Sequence, residues 1–310
     1  MFLKNEKLHF ILILTVVETE TPFASAIRLF KTIAQWITGI LNRCSNGNEI
    51  IFFDLMAVAV RLERCEHDVE LAETCTGLLS MFAQALTLPR CMQEYLDKID
   101  ELSNSSSWSA RLAIIDILQV VVFHNMSIVL SRPEWIEKVQ LVVLRLLEDS
   151  VLEVREKSAE VLGGLLHCSF LPATDKLLEL FKKKCRTKVI KRSNRVTTSC
   201  EIEAANASES ENLVKRHSGV LGLCAFITAY PYDIPEFVPN VFEIISNHLN
   251  DPQPIPVGKL KFLAIHGIIL LFLHRQQFVK LLLTSNVHTT TVGIFTSKNS
   301  TKFSSQFSPT

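Results

Sequence analysis

The chain has 310 residues, of which 48% are apolar, and it carries no formal net charge at pH 7. This balance argues against a protein that binds nucleic acid through its overall positive charge. Only 10 glycines and 11 prolines are present, which favours helices over turn-rich β structure. The 8 cysteines include no CxxC pair, so we expect reduced, mostly buried thiols and no disulfide framework.

The first 25 residues are atypical, and we expect them to lie outside the fold. Their apolar run at 8–17, between two lysines and two small residues, is typical of a secretory signal. Four N-x-S/T sequons suit that alternative, whereas Glu6 weakens it. The apolar stretch 262–273 is too short to cross a bilayer, so we expect no membrane partner.

Apolar residues at helical spacing predict a series of helices joined by short links. The predicted helices cover 26–44, 49–64, 68–87, a segment opened by Pro89, 107–130, 131–148, 151–167 and 173–185. Capping boxes at 131–134 and 150–153 predict two of the starts. No segment alternates with the period of a strand. Because helices joined by short links pack antiparallel, the prediction is an all-α fold, a HEAT-like α-solenoid of stacked antiparallel helix pairs.

The second part of the chain begins with a change in composition. Residues 182–195 carry eight basic side chains, and 196–211 are polar and acidic, so 182–211 is predicted to be a flexible loop. Helices are predicted again at 212–229 and at 235–249.

The stretch LLEDSVLEVREKSAEVLGGLL (146–166) has the pattern of a HEAT-repeat turn. Asp149 is expected to accept a backbone N–H at the turn and to favour the positive end of the next helix. Val154 is expected to point between helices, and Arg155 to reach an acidic or carbonyl partner in the neighbouring repeat. Asp251 marks a second such turn. These residues are therefore interpreted as structural, not catalytic.

Three stretches of the sequence are distinctive in their order and spacing. They are SWSARLAIIDILQVVVFHN (107–125), LLEDSVLEVREKSAEVLGGLLHCSF (146–170) and LVKRHSGVLGLCAFITAYPYDIPEFVP (213–239), and the last is followed by HLNDPQPI (248–255). Together they resemble the C-terminal part of the family of proteasome activator complex subunit 4. The resemblance implies HEAT-like repeats over 26–181 and C-terminal activator helices over 212–255.

The function that the resemblance implies is that of a protein that caps the 20S proteasome. Members of this family open the gate of the 20S core without ATP or ubiquitin. They are found in nucleus and cytoplasm and are linked to degradation of acetylated core histones in DNA repair. The implied partners are the α ring of the 20S proteasome and acetylated histones.

The resemblance stops after HLNDPQPI. Family members end in a Tyr-Tyr-X tail that docks between proteasome α subunits, whereas this sequence ends in Phe-Ser-Pro-Thr. Residues 256–310 are divergent. Since Gly258-Lys259 can be encoded by a splice-donor sequence, we hypothesise that this tail is translated intron.

The family also has a bromodomain-like stretch, which corresponds to about 107–195. The residues implied to hold an acetyl-lysine fall on Ser169 and Val129, where the family has an Asn and an aromatic residue. Phe123 and Asn125 are alternatives, although both also fit a buried helix.

The basic run offers a nuclear-import signal, which the family's location favours. Its cationic residues are Lys182, Lys183, Lys184, Arg186, Lys188, Lys191 and Arg192. A phosphate-binding patch and a solvated loop are the other interpretations.

No enzyme motif is visible. The sequence has no GxSxG, P-loop or GxGxxG motif, and Cys65, His67 and Cys75 fit no zinc spacing. We therefore expect no catalytic residue, metal, cofactor or direct nucleic-acid contact. A standalone chromatin or import adaptor that does not dock on the proteasome is the alternative function.

Overall fold

The computed structural model describes residues 24–43, 53–188, 199–231 and 235–248, and no strand occurs within these ranges. The described helices are α1 (Ala24–Arg43), α2 (Phe53–Leu62), α3 (Val69–Gln84), α4 (Pro89–Leu102), α5 (Trp108–His124), α6 (Met126–Val129), α7 (Pro133–Leu146), α8 (Leu152–His167), α9 (Asp175–Cys185), α10 (Ser199–Thr228) and α11 (Val238–Ser246). The chain divides into two compact units, unit 1 up to Pro172 and unit 2 from Ala173.

Unit 1 is a stack of helix pairs, in which short links return the chain after α4 and again after α7. Polar side chains join each helix to its equivalent in the next pair: Gln93 to Trp135 and Asp97 to Lys138 between α4 and α7, and Asp116 to Lys157 between α5 and α8. Such cross-pair hydrogen bonds join residues 38 to 45 positions apart. Contacts at so regular an interval are those of stacked helix pairs, so the predicted all-α solenoid fold is confirmed.

The core of unit 1 lies between the two helix layers. Its largest fully buried side chain is Trp135, whose Nε1 donates to Gln93 Oε1 at 2.7 Å, so the indole buries its apolar surface without stranding its polar atom. Tyr95 is also buried and donates to the carbonyl of Phe82 at 2.9 Å. Val69, the first residue of α3, is 66% exposed.

Unit 2 is built on close packing of α9 against α10. Thr174 caps α9 by accepting the Leu177 N–H at 3.3 Å. A Cβ atom placed on Gly222 would lie 2.6 Å from Cγ of Phe181, so only a glycine lets the ring of α9 reach the backbone of α10. The Phe181 ring then meets the Phe226 ring edge-on at 6.0 Å.

The predicted helix 107–130 is interrupted at Asn125, and the single-helix prediction is wrong there. Asn125 has φ −113° and ψ 23°, which ends α5 and precedes the short α6. Because apolar residues continue on both sides of Asn125, the periodicity of the sequence predicts one uninterrupted helix. Its cause is tertiary, because the Asn125 side chain binds the link before α4.

The two predicted capping boxes do not form. The Ser131 hydroxyl donates to the Ile128 carbonyl, and Arg132 precedes α7 without a side-chain cap. Ser150 lies 3.5 Å from Asp149 Oδ1 instead of capping α8. A serine hydroxyl has several nearby backbone and side-chain partners available, and both of these hydroxyls bind partners that precede them in the chain instead of capping the following helix.

The predicted loop 182–211 is wrong in its second half. Helix α9 ends at Cys185, as the predicted helix 173–185 requires, whereas α10 begins at Ser199 rather than near 212. The stretch 201–211 is rich in Glu and Ala, which are strong helix formers, so polarity alone did not indicate a loop. Helix α11 begins at Val238, after the predicted start at Pro235.

Several predictions fall on residues outside the described ranges. They concern the N-terminal 23 residues, the predicted end of the first helix at residue 44, the second half of the basic run at 189–195, the turn at Asp251 and the divergent tail 256–310.

Candidate functional site

The turn before α8 is organised by Asp149. Its Oδ1 accepts the Val151 N–H at 2.8 Å, as expected of a carboxylate at a helix N-terminus. Both carboxylate oxygens also accept from Arg111 on α5: Oδ2 from Nε at 2.5 Å and Oδ1 from an Nη at 2.8 Å. The two side chains are only 6% and 13% exposed. This two-pronged hydrogen bond raises the pKa of Arg111, and it ties two successive repeats together.

Arg155 binds the same turn from the other side. One of its Nη atoms donates to the carbonyl oxygens of Asp149 at 2.6 Å and Ser150 at 2.9 Å. Burial lowers the pKa of this guanidinium. Val154 is fully buried. The three residues predicted for the HEAT turn thus lie together, and Arg155 satisfies two carbonyl groups of its own repeat.

An equivalent turn precedes α5, and sequence reasoning missed it. An Nη of Arg111 donates to the carbonyls of Ser105 at 2.8 Å and Ser106 at 3.1 Å. The Ser105 hydroxyl accepts the Ser107 N–H at 3.3 Å, as Asp149 accepts that of Val151. The signal is the spacing shared by SSSWSAR (105–111) and DSVLEVR (149–155), in which an Arg follows the accepting residue by six positions. Arg111 therefore closes its own turn and also holds the next one.

Asn125, an alternative acetyl-lysine residue, has a structural position. It is 1% exposed, its Oδ1 accepts the Thr87 N–H at 2.7 Å, and its Nδ2 donates to the carbonyls of Ala85 at 3.2 Å and Val121 at 3.0 Å. An amide nitrogen has two N–H groups, and each of them donates to one of these two carbonyls. This side chain has no donor left for an acetyl group.

The other predicted acetyl-lysine residues are divided between interior and surface. Val129 is fully buried in α6. Phe123 is half-buried and lies over Gly164 near the end of α8. Ser169 is exposed just beyond that end, so Phe123 and Ser169 share one end of the α5–α8 pair.

Ser169 adopts φ 56°, a left-handed conformation that favours glycine. The N–H of Phe170 reaches the carbonyl of Leu165 at 3.0 Å, and that of Ser169 reaches Leu166 at 3.0 Å. These two bonds form a Schellman motif that ends α8. The backbone conformation of Ser169 is therefore the one that the end of α8 requires.

The described part of the basic cluster lies on and after the last turn of α9. Lys182 pairs with Glu179 at 2.8 Å, and Lys184 lies 5.8 Å from the centre of the Phe181 ring. Lys183, Arg186 and Lys188 are exposed. Lys191 and Arg192 fall outside the described residues.

Within the described ranges, no group of His, Cys, Asp and Glu side chains is placed to hold a metal ion. Cys75 is buried, and burial raises its pKa to about 12, whereas His67 is exposed. Among these same residues, no helix has the length and apolar character required to span a bilayer.

Comparison with known proteins finds a family model that matches the C-terminal part of the described helices. Residues 213–262 match the family model described as "Proteasome activator complex subunit 4-like, C-terminal". These residues include the second half of α10 and all of α11.

Full-length relatives extend the similarity across most of the chain. Proteasome activator complex subunit 4 of Xenopus laevis is 36% identical over 77% of this chain, and that of Homo sapiens is 35% identical over 79%. Proteasome activator subunit 4 of Arabidopsis thaliana is 25% identical over 56% of it. The aligned regions are 13% of the two animal proteins and 9% of the plant protein.

Proposed function

Because the chain belongs to the family of proteasome activator complex subunit 4, we propose that it forms the C-terminal helical region of an activator of the 20S proteasome. The observation that carries this proposal is the continuous similarity over 77% of the chain to a protein named as an activator. The C-terminal family model on α10 and α11 supports the same position within the longer relatives.

The proposed action is binding, not catalysis. Stacked helix pairs held by the Arg111–Asp149 contact form a stiff surface, and repeat proteins use such surfaces to bind large partners. The partner is the α ring of the 20S core. Binding there would favour an open gate and so promote degradation without ATP or ubiquitin, in the nucleus and in the cytoplasm.

A direct test is hydrolysis of a short fluorogenic peptide by purified 20S proteasome, with and without the chain and without ATP. We expect faster hydrolysis that saturates with the concentration of the chain. The control is Gly222→Leu, which would push a side chain into the Phe181 ring and separate α9 from α10. Equal hydrolysis with and without a correctly folded chain would contradict the proposal.

The finer proposal is that acetylated core histones are substrates, during DNA repair. Phe123 and Ser169 are the accessible residues for such recognition, since Asn125 and Val129 are buried. Binding of acetylated and unmodified histone-tail peptides, compared by isothermal titration, tests this step. Phe123→Ala should weaken binding of the acetylated peptide only.

The same titration, together with the hydrolysis assay, distinguishes the proposed activator from the alternative function, a standalone adaptor. A chain that binds acetylated tails but neither associates with nor activates the 20S proteasome would be a standalone chromatin adaptor. A chain that binds neither would contradict both functions.

A further inference from the structure

One end of unit 2 carries a dense group of positive charges. The whole chain has 32 basic and 32 acidic residues, yet five of the seven residues at 182–188 are basic. We call the group made by Lys183, Lys184, Arg186, Lys188 and Arg216 the cationic end of unit 2.

Two observations place Arg216 beside the end of α9. A Cβ atom on Gly219 would lie 2.5 Å from the Cys185 nitrogen, so the backbones of α9 and α10 touch there. Arg216 precedes Gly219 by three residues and therefore lies on the same side of α10. Burial raises the pKa of Cys185 to about 12, and the charges of Arg186 and Arg216 both oppose this rise.

Helix stabilisation accounts for only part of this group. Cations in the last turn of a helix are stabilised by its dipole, which explains Lys183 and Lys184 on α9. Arg186 and Lys188 lie beyond the helix, and Arg216 lies in the middle of α10. The dipole of α9 therefore does not account for the positions of these three cations.

A receptor that reads residues 182–184 as an extended peptide would need a conformation different from the one they have in α9. Lys182 is only 13% exposed and pairs with Glu179, and Lys184 lies against the Phe181 ring. Both would have to leave their partners and the last turn of α9 would have to unwind. The cations instead form a folded surface.

We propose that the cationic end of unit 2 binds the phosphate backbone of a nucleic-acid duplex, without sequence preference. The exposed side chains of residues 182–188 are all cationic, namely Lys183, Arg186 and Lys188. Clustered positive charge is typical of interfaces with nucleic acid, whereas protein interfaces have an apolar, aromatic core. A membrane surface fits less well, because α9 buries Leu177, Leu178 and Phe181 and exposes a single large apolar side chain, Leu180, at 37%, which is a small apolar face for insertion into a bilayer. This proposal departs from the expectation, drawn from the sequence, of no direct nucleic-acid contact. The zero net charge of the chain does not oppose the binding, since the positive charge is local.

The test is the binding of a fluorescein-labelled 20-base-pair DNA duplex to the full chain, followed by anisotropy between 50 and 200 mM salt. The variant K183Q/R186Q/K188Q removes three exposed cations. Each lost phosphate contact lowers the slope of log K against log salt by about 0.9, so the slope should become shallower by about 2.7. At 0.1 M salt we expect the affinity to fall at least ~100-fold.

The matched control is R28Q/R90Q/K176Q, which removes the same charge from exposed positions elsewhere, including the opposite end of α9. It should keep the affinity of the unchanged chain within about twofold. Circular dichroism should show equal helix content for all three proteins.

Three results would overturn the proposal. They are absence of duplex binding at 50 mM salt, an equal loss of affinity in the two variants, and tighter binding to vesicles of 20% phosphatidylserine than to the duplex. The last result would assign the cationic end to a membrane surface instead.

Discussion

Replacing Asp149 with alanine should destabilise unit 1 more than any change at its surface. The substitution removes three hydrogen bonds together: the N-terminal cap on Val151 and both contacts with Arg111. Arg111, which is 13% exposed in the intact protein, then keeps its hydrogen bonds to the carbonyls of Ser105 and Ser106.

The magnitude follows from the burial of the pair. Removing one member of a buried ion pair costs roughly 3–5 kcal/mol, because the other charge stays desolvated. Arg111 keeps two hydrogen bonds to carbonyl oxygens, which reduces the cost of leaving its charge desolvated. We therefore expect the free energy of unfolding to fall by about 3 kcal/mol, the lower limit of this range. With a urea m-value of about 2 kcal/mol per M, the midpoint of unfolding should fall by roughly 1.5 M.

The assay is equilibrium unfolding in urea followed by circular dichroism, with a double-mutant cycle over Asp149→Ala and Arg111→Ala. The double variant should lose less stability than the sum of the two single changes. The control is Asp116→Ala, at an ion pair with Lys157 whose members are 52% and 31% exposed. Exposed pairs contribute about 0–1 kcal/mol. If Asp149→Ala costs no more than Asp116→Ala, the reasoning about the turn is wrong.

Three other substitutions and one labelling experiment have defined outcomes. Asn125→Ala should cost about 3 kcal/mol in urea unfolding, because it removes three hydrogen bonds, to the Thr87 N–H and to the carbonyls of Ala85 and Val121, each of which contributes about 1 kcal/mol; no loss would contradict its structural role. Ser169→Gly should raise stability by about 0.5–1 kcal/mol in the same assay, since glycine accepts φ 56° without strain. Gly222→Ala should cost about 2 kcal/mol or more by overpacking α10 against an aromatic ring, and a neutral result would refute that close approach. In maleimide labelling at pH 8, read by peptide mass, Cys168 should react quickly because it is exposed, whereas Cys185 should stay protected because burial raises its pKa to about 12.

Sequence reasoning found the turn at Asp149 because a carboxylate in front of a helix is a strong local signal. It missed the equivalent turn before α5, where a serine hydroxyl takes the place of the carboxylate. The residue that links the two turns, Arg111, becomes evident only when residues 38 positions apart are seen to meet.

The break at Asn125 could not be predicted for the same reason. The apolar pattern continues through 107–130, and the hydrogen bonds that fix the break reach Ala85 and Thr87, up to 40 residues earlier. Conversely, the polar composition of 199–211 suggested a loop, but its Glu and Ala residues belong to α10. Local sequence predicted where helices exist, whereas long-range contacts decide where they end.

We propose that this chain is a helical region of an activator that binds the 20S proteasome. Sedimentation velocity of the chain, labelled at the exposed Cys168, with purified 20S particles and no ATP, measures this binding. We expect the labelled chain to move with the 20S boundary and to be displaced by an excess of unlabelled chain. A folded chain that sediments as free protein at every 20S concentration would show that it does not bind the 20S core.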